Sequence, residues 1–315
     1  MSADERPADE DLSERLVDAL NETYGVHPGH RAAHAKGVLC AATFTPLPEG
    51  PTLSRAAHFG SGPLRAHVRF SNGSGDPTAP DGARDGRGIA VKIYLPDGTK
   101  TDIVSLTLPL FFVRTPEDLI GFNAARRPDP DTGQLDLEKV GAFLAAHPET
   151  VPAVTAAMEA TPPESYARLT YHGIHAFGFV DGGGRRRHGR YRFVPDAGES
   201  AISDDDAAGR ERDYLTTELA DRLAGGPVVF HLDVELAAPD DPVDDPTAVW
   251  GDGRDRVRVA RLDITGLAFD RDRDGDILVF DPTRVADGIE LTDDPVLHAR
   301  SGAYRVSVMR RTAGA

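Results

Sequence analysis

The segment Asp293-Asp294-Pro295-Val296-Leu297-His298-Ala299-Arg300-Ser301-Gly302-Ala303-Tyr304 places an arginine four residues before a tyrosine. In a helix that spacing puts both side chains on one face, one turn apart. A guanidinium beside a phenol favours the phenolate, and a phenolate is an anionic oxygen ligand for iron. The same spacing also serves an ordinary surface cation–π pair. The rest of the chain has to decide between the two.

At 315 residues and 40% hydrophobic content the chain can bury a sizeable core. Its formal charge of −16 argues against nucleic acid and anionic membranes as partners. No run of 18 apolar residues exists, so no membrane span is expected. The N-terminus is acidic and lacks the basic and apolar regions of a signal peptide, so a cytoplasmic location is expected. The single cysteine, Cys40, lies in an apolar run and reads as a small buried hydrophobe.

Residues 1–9 are polar and read as a disordered tail. Leu12, Leu16, Val17 and Leu20 then recur at helical spacing. His27, His30 and His34 follow within eight residues, which suggests a metal site, but Pro28-Gly29 prevents the single helix that would align them. His34 therefore stands before a strand at 38–44, flanked by Arg31 and Lys36, and on this stretch alone an exposed loop histidine is the preferred reading.

Further strands are predicted at 65–71, 89–95, from 102, at 174–180, 191–194, 228–236 and 257–264. Helices are predicted at 135–146, from 148 to about 160, and at 207–223. The long Gly-, Asp- and Pro-rich loop 72–88 is a candidate cover for a site. About eight strands with helices between some of them indicate an α+β protein built on an antiparallel barrel or curved sheet. Asp270-Arg271-Asp272-Arg273-Asp274-Gly275-Asp276 matches the first half of a calcium loop. Its twelfth position is Asp281 instead of Glu and its flanks read as strands, so an acidic hairpin turn is the preferred reading.

Taken in order, the pieces resemble the haem catalases. Arg31-Ala32-Ala33-His34-Ala35-Lys36-Gly37 resembles the distal histidine segment, and Val68-Arg69-Phe70-Ser71 the strand after it. Arg84-Asp85-Gly86-Arg87-Gly88 is similar to the family's Arg-Asp-x-Arg-Gly segment. Asp102-Ile103-Val104 with Pro109-Leu110-Phe111-Phe112-Val113, Gly173-Ile174-His175-Ala176-Phe177, and Phe280-Asp281-Pro282-Thr283-Arg284 match later blocks. Arg300 and Tyr304 fall on the proximal ligand motif, and the likeness runs from about residue 20 to 311. Because the chain ends soon after Tyr304, it resembles the short form, the catalase-related peroxidases.

That resemblance implies a catalase-like antiparallel β-barrel with surrounding helices, one domain over residues 10–315, holding haem b. Tyr304 would be the iron ligand, supported by Arg300. His34 would be the distal acid/base, oriented by Ser71, with Thr107 as a further catalytic residue. Arg31, Arg69 and Arg311 would pair with haem propionates, and Phe111 would contact the cofactor. The family's distal asparagine falls on Leu106, within Ser105-Leu106-Thr107-Leu108, and its aromatic stacking position falls on Leu119, with Phe122 nearby.

The expected function is a haem b peroxidase reducing organic hydroperoxides and hydrogen peroxide, with an unidentified electron donor and no NADPH motif. Hydrogen peroxide dismutation, hydroperoxide isomerisation and non-catalytic haem binding are the competing readings. The oligomeric state stays open between monomer and dimer.

Overall fold

The computed structural model describes residues 8–269 and 277–313. The 1–7 part of the expected tail and the Asp270–Asp276 loop lie outside them. Ten strands form one sheet: β1 (Gly37–Pro46), β2 (Leu64–Asn72), β3 (Arg87–Tyr94), β4 (Lys100–Leu106), β5 (Tyr171–His172), β6 (Phe177–Val180), β7 (Arg186–Pro195), β8 (Val228–Leu236), β9 (Arg256–Leu267) and β10 (Ile289–Leu291). Their order is β10-β6-β7-β5-β4-β3-β2-β1-β9-β8, and a further β7–β8 pairing closes it. The result is an eight-stranded antiparallel barrel, with β6 and β10 continuing from one edge of β7. Closure leaves the barrel itself without a free edge.

Inside the barrel, large side chains alternate inward along each strand. Val68, Phe70, Ile89, Val91, Phe193, Phe230, Leu232 and Leu262 are completely buried there. Phe70 stacks on Tyr166 with ring centroids 5.5 Å apart. The outward faces of β1 to β4 include the small residues Gly37, Ser71, Gly88 and Ala90, and register sets these faces in two rows. One row is Gly37, Ser71, Gly88 and Leu106, and the next is Leu39, Arg69, Ala90 and Val104.

Among the described residues nine α-helices surround the barrel: α1 (Ala8–Tyr24), α2 (Gly50–Leu53), α3 (Ala57–Gly60), α4 (Pro116–Ala125), α5 (Leu137–Ala146), α6 (Val151–Glu159), α7 (Asp204–Ala208), α8 (Tyr214–Ala224) and α9 (Pro295–Thr312). Helix α1 begins inside the stretch read as tail, ahead of its apolar spacing, and stops at Tyr24, before Gly25 with φ at 87°. The helix expected over 207–223 is two, because α7 stops at its Gly209 cap and α8 starts only at Tyr214. Helix α4 was not expected, although Thr115 caps it by accepting from the Asp118 N–H and Pro116 occupies its first turn. Helix α9 crosses α1 closely at Gly302, where a Cβ would come within 2.2 Å of Ser13 Oγ. No helix among the described residues is long and apolar enough to cross a membrane.

Candidate active site

A cleft with about 820 Å³ of open space, mouth included, lies between the outer face of β2–β4 and helices α1 and α9. The barrel contributes Arg69, Ser71, Gly88, Ala90, Val104 and Leu106 to its lining, which are the outward rows described above. Helix α1 adds Val17 and Leu20. Helix α9 adds Arg300, Ala303, Tyr304, Ser307, Val308 and Arg311, a spacing of three or four residues that keeps all six on one helical face. Thus β-period and α-period surfaces meet across one slot.

On the barrel side, His34 sits in the turn before β1 with φ at 55°, the left-handed region, where it is the only non-glycine among the described residues. Several contacts hold it there. His34 N–H donates to Gly73 O at 3.1 Å and Ala35 N–H to Ser74 O at 3.0 Å, so loop 72–88 clasps the turn. Arg69 donates to His34 O at 3.0 Å. Ser71 Oγ lies 3.1 Å from His34 Nδ1.

Gly88 makes that pair feasible: a Cβ there would lie 2.9 Å from Ser71 Oγ and 3.2 Å from His34 Nδ1. Arg87 organises the loop itself, donating to the carbonyls of Asp81, Ala83 and Asp85. Burial, together with the positive charges of Arg69, Arg300 and Arg31, pushes the His34 imidazole down to about 3. It is therefore neutral at ordinary pH.

On the helix side, Arg300 Nε donates to Tyr304 Oη at 2.9 Å and Nη2 donates to the same oxygen. The pair is thus aimed at the phenol oxygen as well as stacked, the guanidinium carbon being 5.4 Å from the ring centroid. Arg300 Nη1 donates to His175 Nε2 at 3.0 Å. A guanidinium cannot accept, so His175 carries its proton on Nδ1 and donates it to Asp294 Oδ2 at 2.6 Å. Burial lowers the His175 pKa, against the opposing pull of Asp294. Asp294 also caps α9, its Oδ1 accepting from the N–H groups of Val296 and Leu297 at 2.9 and 3.1 Å.

The structure brings His34, Ser71, Arg31, Arg69, Arg300, Tyr304 and Arg311 together around the cleft. It does not bring Thr107 and Phe111 there. Thr107 Oγ1 accepts from Arg87 N–H at 3.0 Å, and Phe111 packs on Phe112 while its N–H donates to Pro246 O. Leu119 and Phe122 also lie outside the lining, with Phe122 stacked on Phe112. Gly88, His175 and Asp294 were not assigned roles from the sequence. Gly88 stands in the quoted Arg-Asp-x-Arg-Gly segment, and Asp294 before Pro295 is a helix-start signal.

Among the described residues four arginines and no carboxylate line the cleft. That donor set suits an anionic ligand bearing carboxylates. Glycine and alanine at 88, 90 and 303 keep the facing walls low, so a flat body fits between them.

The catalase family profile matches residues 16–315. The chain belongs to the catalase family. It is 43% identical over 95% of its length to a catalase-related peroxidase of Mycolicibacterium paratuberculosis, covering 94% of that protein. It is 35% identical to another from Synechococcus elongatus, covering 96% of this chain and 89% of the relative. Within the catalase family it therefore groups with the catalase-related peroxidases, a class of peroxide-acting oxidoreductases. A fungal catalase crystal structure superposes with a TM-score of 0.81 at 23% identity, over 94% of this chain and 62% of the fungal one. That likeness shows the catalase fold. Catalases bind haem, and the arginine-lined slot with a phenol on one wall fits such a group.

Proposed function

We propose that the chain is a haem b peroxidase that reduces hydrogen peroxide and, by preference, organic hydroperoxides. The observation that carries this reading is the pairing of two independently braced groups on one cleft. The Tyr304 phenol is held by Arg300, and the neutral His34 imidazole is held by Ser71. Tyr304 would ligate the iron, and Arg31, Arg69 and Arg311 would hold the propionates. Held there by these residues, haem would supply the redox chemistry of O–O cleavage, with a donor as the source of electrons.

The residues do the proton work. Nδ1 of His34 is engaged with Ser71, which leaves Nε2 to receive a proton from peroxide and return it to the departing oxygen. A neutral imidazole has a lone pair for this, and His34 is neutral across the working range. The preference for alkyl hydroperoxides rests on Leu106, which lines the cleft where the resemblance places the family's asparagine. Val104, Ala90 and Ala32 extend the apolar lining, so an alkyl group meets carbon and not unpaired amide.

Absorption spectroscopy tests the assignment. Protein expressed with haem available should show a Soret band that Tyr304→Phe weakens severely or shifts. No Soret absorption in the wild type would refute it. Turnover of hydrogen peroxide and of an alkyl hydroperoxide, with and without an electron donor, then separates peroxidase from dismutase and isomerase.

A further inference from the structure

We infer that the chain carries a second, separate site for one divalent transition-metal ion of the zinc class, formed by Asp118, His147 and Glu149. Among the described residues these are the one group of three ligand-type side chains whose donor atoms converge, all within 4.8 Å of one another. His147 Nδ1 lies 3.4 Å from Glu149 Oε1 and 3.9 Å from Asp118 Oδ1. Ligands at about 2.0–2.2 Å around a tetrahedral zinc stand roughly 3.4 Å apart. Small rotations of two carboxylates, each about a quarter exposed, close the set.

Three further observations favour a cation here over a plain hydrogen bond. Neither carboxylate has a lysine or arginine within ion-pair distance among the described residues, although arginine pairs most other partly buried acids of this chain. Two carboxylates converging on one imidazole nitrogen supply the two negative charges that a divalent ion needs. The imidazole plane is also fixed in advance. Phe143 stacks on it at 4.3 Å and 19°, and Gly121 leaves room for that ring, since a Cβ there would touch it at 3.1 Å.

The ligands come from separate elements. Asp118 is in the first turn of α4, while His147 and Glu149 form the corner after α5. None of the three lines the active-site cleft. An ion would therefore clamp α4 to the α5 corner, and α4 packs on α1 and α9, the two helices that wall the cleft. The imidazole nitrogen makes zinc, cobalt or nickel the fitting class, not calcium or magnesium.

The test uses haem-loaded protein stripped with EDTA and desalted. ZnCl2 is titrated calorimetrically at pH 7.5, and thermal melts are recorded with and without zinc. The expected result is one equivalent bound and a raised melting temperature, with CaCl2 and MgCl2 failing to compete. Asp118→Asn and Glu149→Gln, which keep shape and hydrogen bonding, should each weaken zinc about tenfold or more. Uptake of well under one equivalent, or zinc binding undiminished in both variants, overturns the site.

Discussion

His175 Nε2 accepts from Arg300 Nη1 at 3.0 Å, and this contact joins the barrel-side segment before β6 to the face of α9 that bears Tyr304. The guanidinium is thereby gripped at both ends, by a phenol oxygen and by an imidazole nitrogen whose own proton is committed to Asp294.

Replacing His175 by Phe should leave Arg300 held only by its bonds to Tyr304, while the proposed haem still binds. The expected outcome is a shifted charge-transfer region and a changed iron midpoint potential, with Soret intensity largely kept. Asp294→Ala should also lower stability by about 1 kcal/mol, because it removes the α9 cap. Asp294→Asn retains cap chemistry and should spare most of that loss. Identical spectra for wild type and His175→Phe would show that the bracing has no electronic consequence.

Gly88→Ala puts a methyl group 2.9 Å from Ser71 Oγ and 3.2 Å from the His34 ring. Either the ring or the hydroxyl must move. Stopped-flow reaction with peroxide should slow by roughly 10- to 100-fold, as expected for a displaced acid/base. Overpacking should lower stability by about 1–3 kcal/mol. Wild-type rates in this variant would mean that His34 placement is not limiting.

The pH profile of that reaction follows from His34. Its imidazole is held down at about 3, so the reactive neutral form persists well below pH 6. Activity attributable to His34 should be flat from about pH 5 to pH 9 and fall only as pH drops toward 3. An acid limb centred near 6.5, the ordinary histidine value, would contradict the placement.

Leu106→Asn restores an amide to the cleft wall. The ratio of hydrogen peroxide dismutation to donor-dependent peroxidation should rise about tenfold, and alkyl hydroperoxide turnover should fall. Parallel assays on one haem-loaded preparation give the ratio directly. No change in it would place substrate choice elsewhere in the lining.

His58 concerns stability rather than catalysis. It is 1% exposed, packs on Phe59 and Phe44, and neither ring nitrogen has a hydrogen-bond partner among the described residues. Burial pushes it down to about 3. The folded state therefore refuses a proton that the unfolded chain accepts below 6.5. Stability is full above that value and is lost as pH falls from 6.5 toward 3, by up to about 1.4 kcal/mol per pH unit for this group. His58→Leu should be neutral or stabilising at pH 7 and should flatten the acid side of a melting-temperature profile. A steeper acid side in His58→Leu would overturn this.

Much of the barrel was legible because alternation and turn residues mark strands locally, and Val38 to Phe44 or Val228 to Leu236 need no distant partner to be recognised. Helix α4 was missed for want of a stripe: its residues are apolar on several sides, because it packs against α1, α5 and α9 at once. In the site, motif order brought out His34, Ser71, Arg69, Arg300 and Tyr304. Thr107 lies just past the end of β4, in the bend after Leu106, where its hydroxyl accepts from the Arg87 N–H and does not reach the cleft. The His175–Asp294 bond spans 119 positions and depends on how β6 approaches α9, which no local pattern encodes.

The left-handed backbone at His34 carries an evolutionary implication. Asparagine or glycine would relax that turn by about 1 kcal/mol, so drift and selection for robustness both push position 34 away from histidine. On the proposed role of His34 as acid/base, selection on reactivity pushes back. A lineage that abandoned peroxide turnover while keeping the fold should betray it first at this one codon, with the barrel intact around it.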